Sequence, residues 1–282
     1  FAPKNYDNMA EYKKRISDRI LKRKVQGKGA VLIEGPKWCG KTTTAKQLAN
    51  SVLDLGNSTV LMQSRQMIEI SHKVLLDGDT PRLIDEWQAL PPIWDSIRSE
   101  VDSRGEPSQF ILTGSSVLPE ANTLIHSGTG RFGHIRMRPM SLFESGESSG
   151  EVSLLDLFEN RPLELQRNNL DINDIAFLTC RGGWPWATLI SKELALDQAF
   201  DYVDSVVNSD ILRVDKVRRS PERTKLLLRS YARNISQQIS YATIRKDMLA
   251  NDASTLDEDT VADSSDFLEC YFRFSFVFLL LQ

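Results

Sequence analysis

Residues 35–42 read Gly-Pro-Lys-Trp-Cys-Gly-Lys-Thr, a complete G-x-x-x-x-G-K-T pattern, and no other feature restricts the possible folds of this chain as tightly. The pattern is mechanistically meaningful only between a buried strand and a helix. Ala30-Val31-Leu32-Ile33-Glu34 before it is an apolar, β-branched run suited to a buried parallel strand, and Thr43 to Ala49 after it reads as a helix. Glycines let successive backbone amides converge on a polyanion, the start of a helix adds unpaired N–H groups, and a lysine reaches the β and γ phosphates. The expected nucleotide-binding set is therefore Gly35, Pro36, Lys37, Trp38, Cys39, Gly40, Lys41, Thr42 and Thr43, with the Thr42 hydroxyl a ligand for magnesium. Cys39 admits two readings. Exposed beside a helix N-terminus and Lys41, its thiol would have a lowered pKa, and alkylation would block the nucleotide; otherwise it is a small space-filler.

A second apolar segment, Pro81 to Ile84, ends in Asp85-Glu86. Two carboxylates at a strand tip downstream of a phosphate loop suit a metal-binding Asp85, usually acting through water, and Glu86 as the general base that polarises the attacking water. A third buried strand, Gln109 to Leu112, runs into Thr113-Gly114-Ser115-Ser116. A hydroxyl there can orient the lytic water, Thr113 being the first candidate and Ser115 the second, although hydroxyl residues also favour ordinary turns. A helix is expected over Leu118 to Ser127 and a last strand near His134 to Met137, so Arg131 falls just before that strand, either as a solvated loop residue or as a group that reaches a γ-phosphate. Asn-Lys-x-Asp does not occur, which disfavours guanine specificity, and no acceptor-binding signature points to a small-molecule kinase.

The succession Leu32 to Pro36, Gly40-Lys41-Thr42, Leu83-Ile84-Asp85-Glu86-Trp87-Gln88-Ala89-Leu90-Pro91, Ile111 to Ser116, Gly130-Arg131-Phe132 and Arg138-Pro139-Met140-Ser141-Leu142-Phe143-Glu144 resembles a prokaryotic family of AAA+-type ATP-binding proteins. The resemblance implies an α/β P-loop NTPase fold with a parallel sheet in the order 5-1-4-3-2, a site for ATP and Mg2+, a helical lid, and a winged-helix-like segment. Arg131 lies where many ring-forming ATPases place an arginine that reaches the γ-phosphate of a neighbouring subunit, the solvated loop residue remaining the alternative; relatives continue into a further domain, so that the chain reads as a fragment. No clear G-x-R marks a second sensing arginine in the lid; Arg181 of Arg181-Gly182-Gly183 is a weak substitute.

The expected organisation is an ATPase core over 1–145, a linker or insertion over 146–170 with the polar run Ser145 to Gly150 at its start, a lid over 171–214, and a winged-helix-like segment over 215–282. Trp184 and Trp186 read as core or interdomain packing. The three cysteines, Cys39, Cys180 and Cys270, show no metal-ligand spacing and fit a reducing cytoplasm. The late apolar run Phe274 to Leu281 is too short to span a bilayer.

A formal charge of −3 hides a sharp division, since residues 213–250 carry ten Lys or Arg against three acids and residues 251–282 carry seven acids against Arg273. The three expected C-terminal helices are Ser220 to Asn234, Tyr241 to Ala250 and Asp257 to Tyr271, and the third would enter a DNA groove. Its acids oppose phosphate contact, so a protein partner or self-association is favoured over direct DNA readout. The expected activity is ATP hydrolysis driving a conformational or regulatory switch, with a nucleotide-gated regulatory protein of little turnover as the alternative.

Overall fold

The computed structural model describes residues 12–115, 130–162, 169–210, 220–234, 237–251 and Val261. Five strands form one parallel sheet: β1 (Ala30–Gly35), β2 (Ser51–Asp54), β3 (Arg82–Asp85), β4 (Phe110–Ser115) and β5 (Phe132–Arg136), in the spatial order β2-β3-β4-β1-β5. This is the expected order, read from the other edge. Central β1 pairs with β4 from Ala30 opposite Phe110 to Gly35 opposite Ser115, and with β5 from Ala30 opposite Phe132 to Glu34 opposite Arg136. A strand with neighbours on both sides and layers on both faces has no wet surface, and Ala30, Val31, Leu32 and Ile33 are accordingly each no more than 1% exposed.

Alternation along the strands feeds two cores. Ala30, Leu32, Ile84, Phe110 and Leu112 face one side, where Trp94 stacks on Phe132 at a centroid distance of 4.2 Å and also meets Trp87 at 5.0 Å. That layer is built with α3 (Ser58–Ile70), α4 (His72–Leu76) and α5 (Ile93–Arg104). Val31, Ile33, Leu83, Ile111 and Ile135 face the other side, against Leu21 and Val25 of α1 (Ile16–Gly27) and Ala45 of α2 (Lys41–Lys46). Burying each leucine or isoleucine contributes roughly 1.5–3 kcal/mol, so the alternation fixes which face each strand presents.

After β5 come α6 (Leu142–Ser145), α7 (Leu154–Phe158), α8 (Ile172–Arg181) and α9 (Lys192–Ser205), then α10 (Pro221–Arg233) and α11 (Tyr241–Asn251). Trp184, Ala195, Tyr202, Leu227 and Met248 join the Val31/Ile33 core, so the C-terminal helices share their apolar packing with the sheet. The polar run at 145–150 is partly tied down: Ser145 is buried, and Glu147 bonds both Ser145 and Arg181. Arg233 and Asp247 join α10 to α11. These are the first two helices of the expected winged-helix segment; the third lies outside the described residues apart from Val261, as do the expected helix at 118–127 and the apolar run at 274–281. Among the described residues, no helix is long and apolar enough to cross a membrane.

Candidate nucleotide site

All the parallel strands point their C-terminal ends the same way, and the phosphate loop, Asp85, Glu86 and Thr113 meet at that edge. Gly40 precedes α2 with φ 98° and ψ 16°, a left-handed conformation that glycine adopts without steric cost, and it provides no side-chain cap. The chain reverses there into the helix, with Thr44 N–H donating to Gly40 O at 2.9 Å. The Lys41 side chain folds back across the loop, Nζ donating to the carbonyls of Gly35 at 3.0 Å and Pro36 at 2.8 Å, and the residue is 7% exposed. Its hydrogen-bond partners are neutral carbonyls rather than a carboxylate, which leaves the ammonium placed for a polyanion.

Thr42 Oγ1 donates to Asp85 Oδ1 at 2.8 Å, and Thr113 Oγ1 donates to the same oxygen. The metal-site residues expected from sequence therefore converge across 43 residues of chain. The donor set is hard oxygen, one carboxylate with one hydroxyl, and suits Mg2+, which keeps several waters and takes further oxygens from phosphate. Among the described residues there is no cluster of three or more His, Cys, Asp or Glu that would hold a metal without such help. Thr113 is fully buried and its one proton goes to Asp85, so in this arrangement it orients the carboxylate. Ser115 ends β4; its side chain is outside what is described.

Cys39 requires correction as a reactive thiol. It is 0% exposed, packed beneath the loop, and burial pushes its pKa up despite the opposing influence of Lys41 and Arg15. The space-filling reading holds, and the exposed thiol among the described residues is Cys180. Trp38, by contrast, is half-exposed with φ 64° and meets the Tyr202 ring of α9 edge-on at 5.5 Å. Lys37 is half-buried and Thr43 is exposed at the start of α2.

Arg131 lies at the other end of the sheet. Its carbonyl accepts from Ala30 N–H at the first residue of β1, so about 16 Å of strand, five residues at about 3.3 Å each, separates it from the loop of its own chain. Its guanidinium pairs with Asp102 of α5. Arg181 is also engaged elsewhere, bonding Glu147 and the Gly182 carbonyl, and it is 5% exposed.

The site has residues that carried no motif. Arg15, just before α1, lies under the loop: Nη1 donates to Cys39 O at 2.8 Å, Nη2 to Arg138 O at 2.7 Å, and Nε pairs with Glu144 at 3.0 Å. Glu144 caps α6 through Ser141 and accepts the Ile16 amide at 2.8 Å. Burial raises the pKa of Glu144, but the amides of Ser141 and Ile16 and the Arg15 charge outweigh it and hold the carboxyl below its ordinary value. Tyr12 bonds Thr44 Oγ1 at 2.9 Å, and Pro185 approaches to 3.5 Å of where a Cβ on Gly40 would stand. Glu144 sits in the quoted Arg138–Glu144 motif, whereas nothing in the sequence singled out Arg15.

A glycine-turned phosphate loop with a clamped lysine, at the carboxyl edge of this parallel sheet, defines a P-loop nucleotide-binding protein. Residues 27–145 match the family model described as AAA domain. Residues 172–278 match a model described as Domain of unknown function (DUF8612). No curated protein matches the sequence. The Walker-type ATPase paby2304 of Pyrococcus abyssi shares the fold, with a TM-score of 0.56 at 16% identity over 92% of this chain and 90% of that one. AMPPCP-bound DnaA from Aquifex aeolicus aligns over 95% of this chain and 91% of its own at 16% identity, with a TM-score of 0.34. A DNA replication initiation factor aligns over 97% and 93% at 15% identity, with a TM-score of 0.32.

Proposed function

We propose that this protein is a magnesium-dependent ATPase that uses hydrolysis to move its lid helices relative to the phosphate loop. The observation that carries the reading is the meeting of Thr42, Asp85 and Thr113 on one carboxylate oxygen beside the buried Lys41, with Glu86 the next residue along. Lys41 and the loop amides would bind the β and γ phosphates, and Thr42 and Asp85 would hold Mg2+. When bound, the ion neutralises phosphate charge. Glu86 takes a proton from water as the water oxygen bonds to the γ phosphorus; the bridging P–O bond breaks, and ADP leaves with its electron pair. The contact of Trp38 with Tyr202, and the shared core of Trp184 and Tyr202 with the sheet, support coupling of the loop to the lid.

The test is steady-state phosphate release by wild type and Glu86→Gln. Loss of about a hundredfold or more in kcat with ATP binding retained is expected, as for removal of a general base. Equal rates would replace this reading with a nucleotide-gated regulatory protein of little turnover.

Self-association belongs to the same proposal. The position of Arg131 at the sheet end away from its own loop suits a charge offered to the γ-phosphate of a neighbouring copy. Arg131→Ala should then lose about tenfold or more in turnover at concentrations where copies associate. Unchanged turnover in the assembled state would remove the trans role. A protein partner or another copy is favoured over DNA for the acidic C-terminal segment, and cysteine usage fits a reducing cytoplasm.

A further inference from the structure

The turn after β3 places a second side chain on Glu86. Glu86 has φ 55° and ψ 43°, a left-handed conformation uncommon for a residue with a Cβ, and its surroundings over-determine it. Leu55 N–H donates to the Asp85 carbonyl at 3.0 Å before it, and after it Ala89 N–H donates to the Glu86 carbonyl at 2.9 Å while Trp87 is 1% exposed in the core, so the turn is pinned on both sides of the strained residue. Two residues beyond Glu86, the Gln88 side-chain amide donates through Nε2 to Glu86 Oε2.

The slot that holds Gln88 is made by β4. A Cβ on Gly114 would lie 2.3 Å from Gln88 Oε1 and 3.1 Å from the Trp87 ring. Gly114 does not have the positive φ that would itself call for glycine, so its missing side chain matters here as space. It follows Thr113, the residue that bonds Asp85, so one strand tip orients both carboxylates: Asp85 directly, and Glu86 through Gln88.

We propose that Gln88, seated in the space left by Gly114, is a positioning residue for Glu86. The amide occupies Oε2 and restrains the carboxylate, leaving Oε1 to accept the proton from water. Gln88 gives and takes no proton itself. The inference rests on the hydrolytic reading above. It assigns the Asp-Glu-Trp-Gln sequence a physical division: Asp85 for the metal, Glu86 for the water, Trp87 for anchoring the turn, and Gln88 for aiming the base.

The experiment measures kcat and KM for magnesium ATP, and binding of a non-hydrolysable ATP analogue, in Gln88→Ala and in Gln88→Met, which keeps the volume without the donor. Each is made alone and in a Glu86→Gln background. Expected is a loss of about tenfold or more in kcat for both, with KM and analogue binding within about twofold of wild type, because the interaction acts on the reacting geometry only. In the Glu86→Gln background the same substitutions should change the residual rate by less than about twofold, since partners acting as one unit are non-additive. Gly114→Ala, which fills the slot and displaces the Gln88 amide, should reproduce the kcat loss with both partners unsubstituted. A kcat within about twofold of wild type, a higher kcat, or an equal proportional loss with Glu86 already replaced would overturn the role. If wild type and Glu86→Gln turn over alike, the hydrolytic reading fails and this role with it; loss in Glu86→Gln alone overturns Gln88 only.

Discussion

Replacing Lys41 by alanine is expected to weaken ATP and ADP binding by about a hundredfold or more, measured by calorimetric titration with the folded protein. The ammonium is removed from water by the loop that wraps it, and its Nζ is held at 3.0 Å from Gly35 O and 2.8 Å from Pro36 O. Truncating one partner of a desolvated, hydrogen-bonded charge pair costs about 2–5 kcal/mol, or roughly thirty to several thousand in affinity. Lys41→Arg should not restore binding, because a planar fork is larger than the space between two loop carbonyls and hydrogen-bonds differently. The loss should also scale with phosphate number, leaving adenosine binding unchanged. Wild-type affinity for ATP in Lys41→Ala would remove the phosphate loop from the site.

Arg15→Ala is expected to cost about 3–5 kcal/mol of folding stability in denaturant unfolding, because it strands a buried carboxylate. The Arg15 and Glu144 side chains are 4% and 7% exposed, and the lost guanidinium also serves the carbonyls of Cys39 and Arg138. The folded carboxyl of Glu144 sits below its unfolded value, so its contribution is complete above about pH 4.3 and is lost as pH falls through the lower folded value. Arg15→Ala should therefore lose stability at neutral pH and show a shallower decline on acidification. Adding Glu144→Gln should recover part of the loss, since it removes the uncompensated charge. A change under about 1 kcal/mol would mean that water replaces the guanidinium beneath the loop.

Much of the sheet was legible because its signals are local. Ala30 to Ile33 and Phe110 to Leu112 read as buried strands from their apolar side chains alone, and 5-1-4-3-2 followed from a resemblance anchored on motifs at the strand ends. The phosphate loop was legible for the same reason, its glycines and lysine being fixed in spacing by the turn they make. Cys39 was not, because whether a loop thiol faces solvent depends on Met137 and Arg15, which come from distant parts of the chain. Thr113 was found at the site, yet its use of its proton on Asp85 needed the register that sets β3 beside β4. Gln88 was visible in the quoted motif without a role, since its slot exists only where Gly114 passes it.

From sequence alone came the P-loop class, the carboxylates Asp85 and Glu86 and the buried apolar strands, since each depends on residue types at short, fixed spacing. The tertiary structure alone decided that Arg15 supports the loop, that Gln88 contacts Glu86, and that Arg131 stands at the far end of the sheet from its own loop. A side chain's partner is set by strand register and helix crossing. Arg15 and Glu144, 129 residues apart in sequence, meet only after the sheet has brought the start of α1 against the exit of β5.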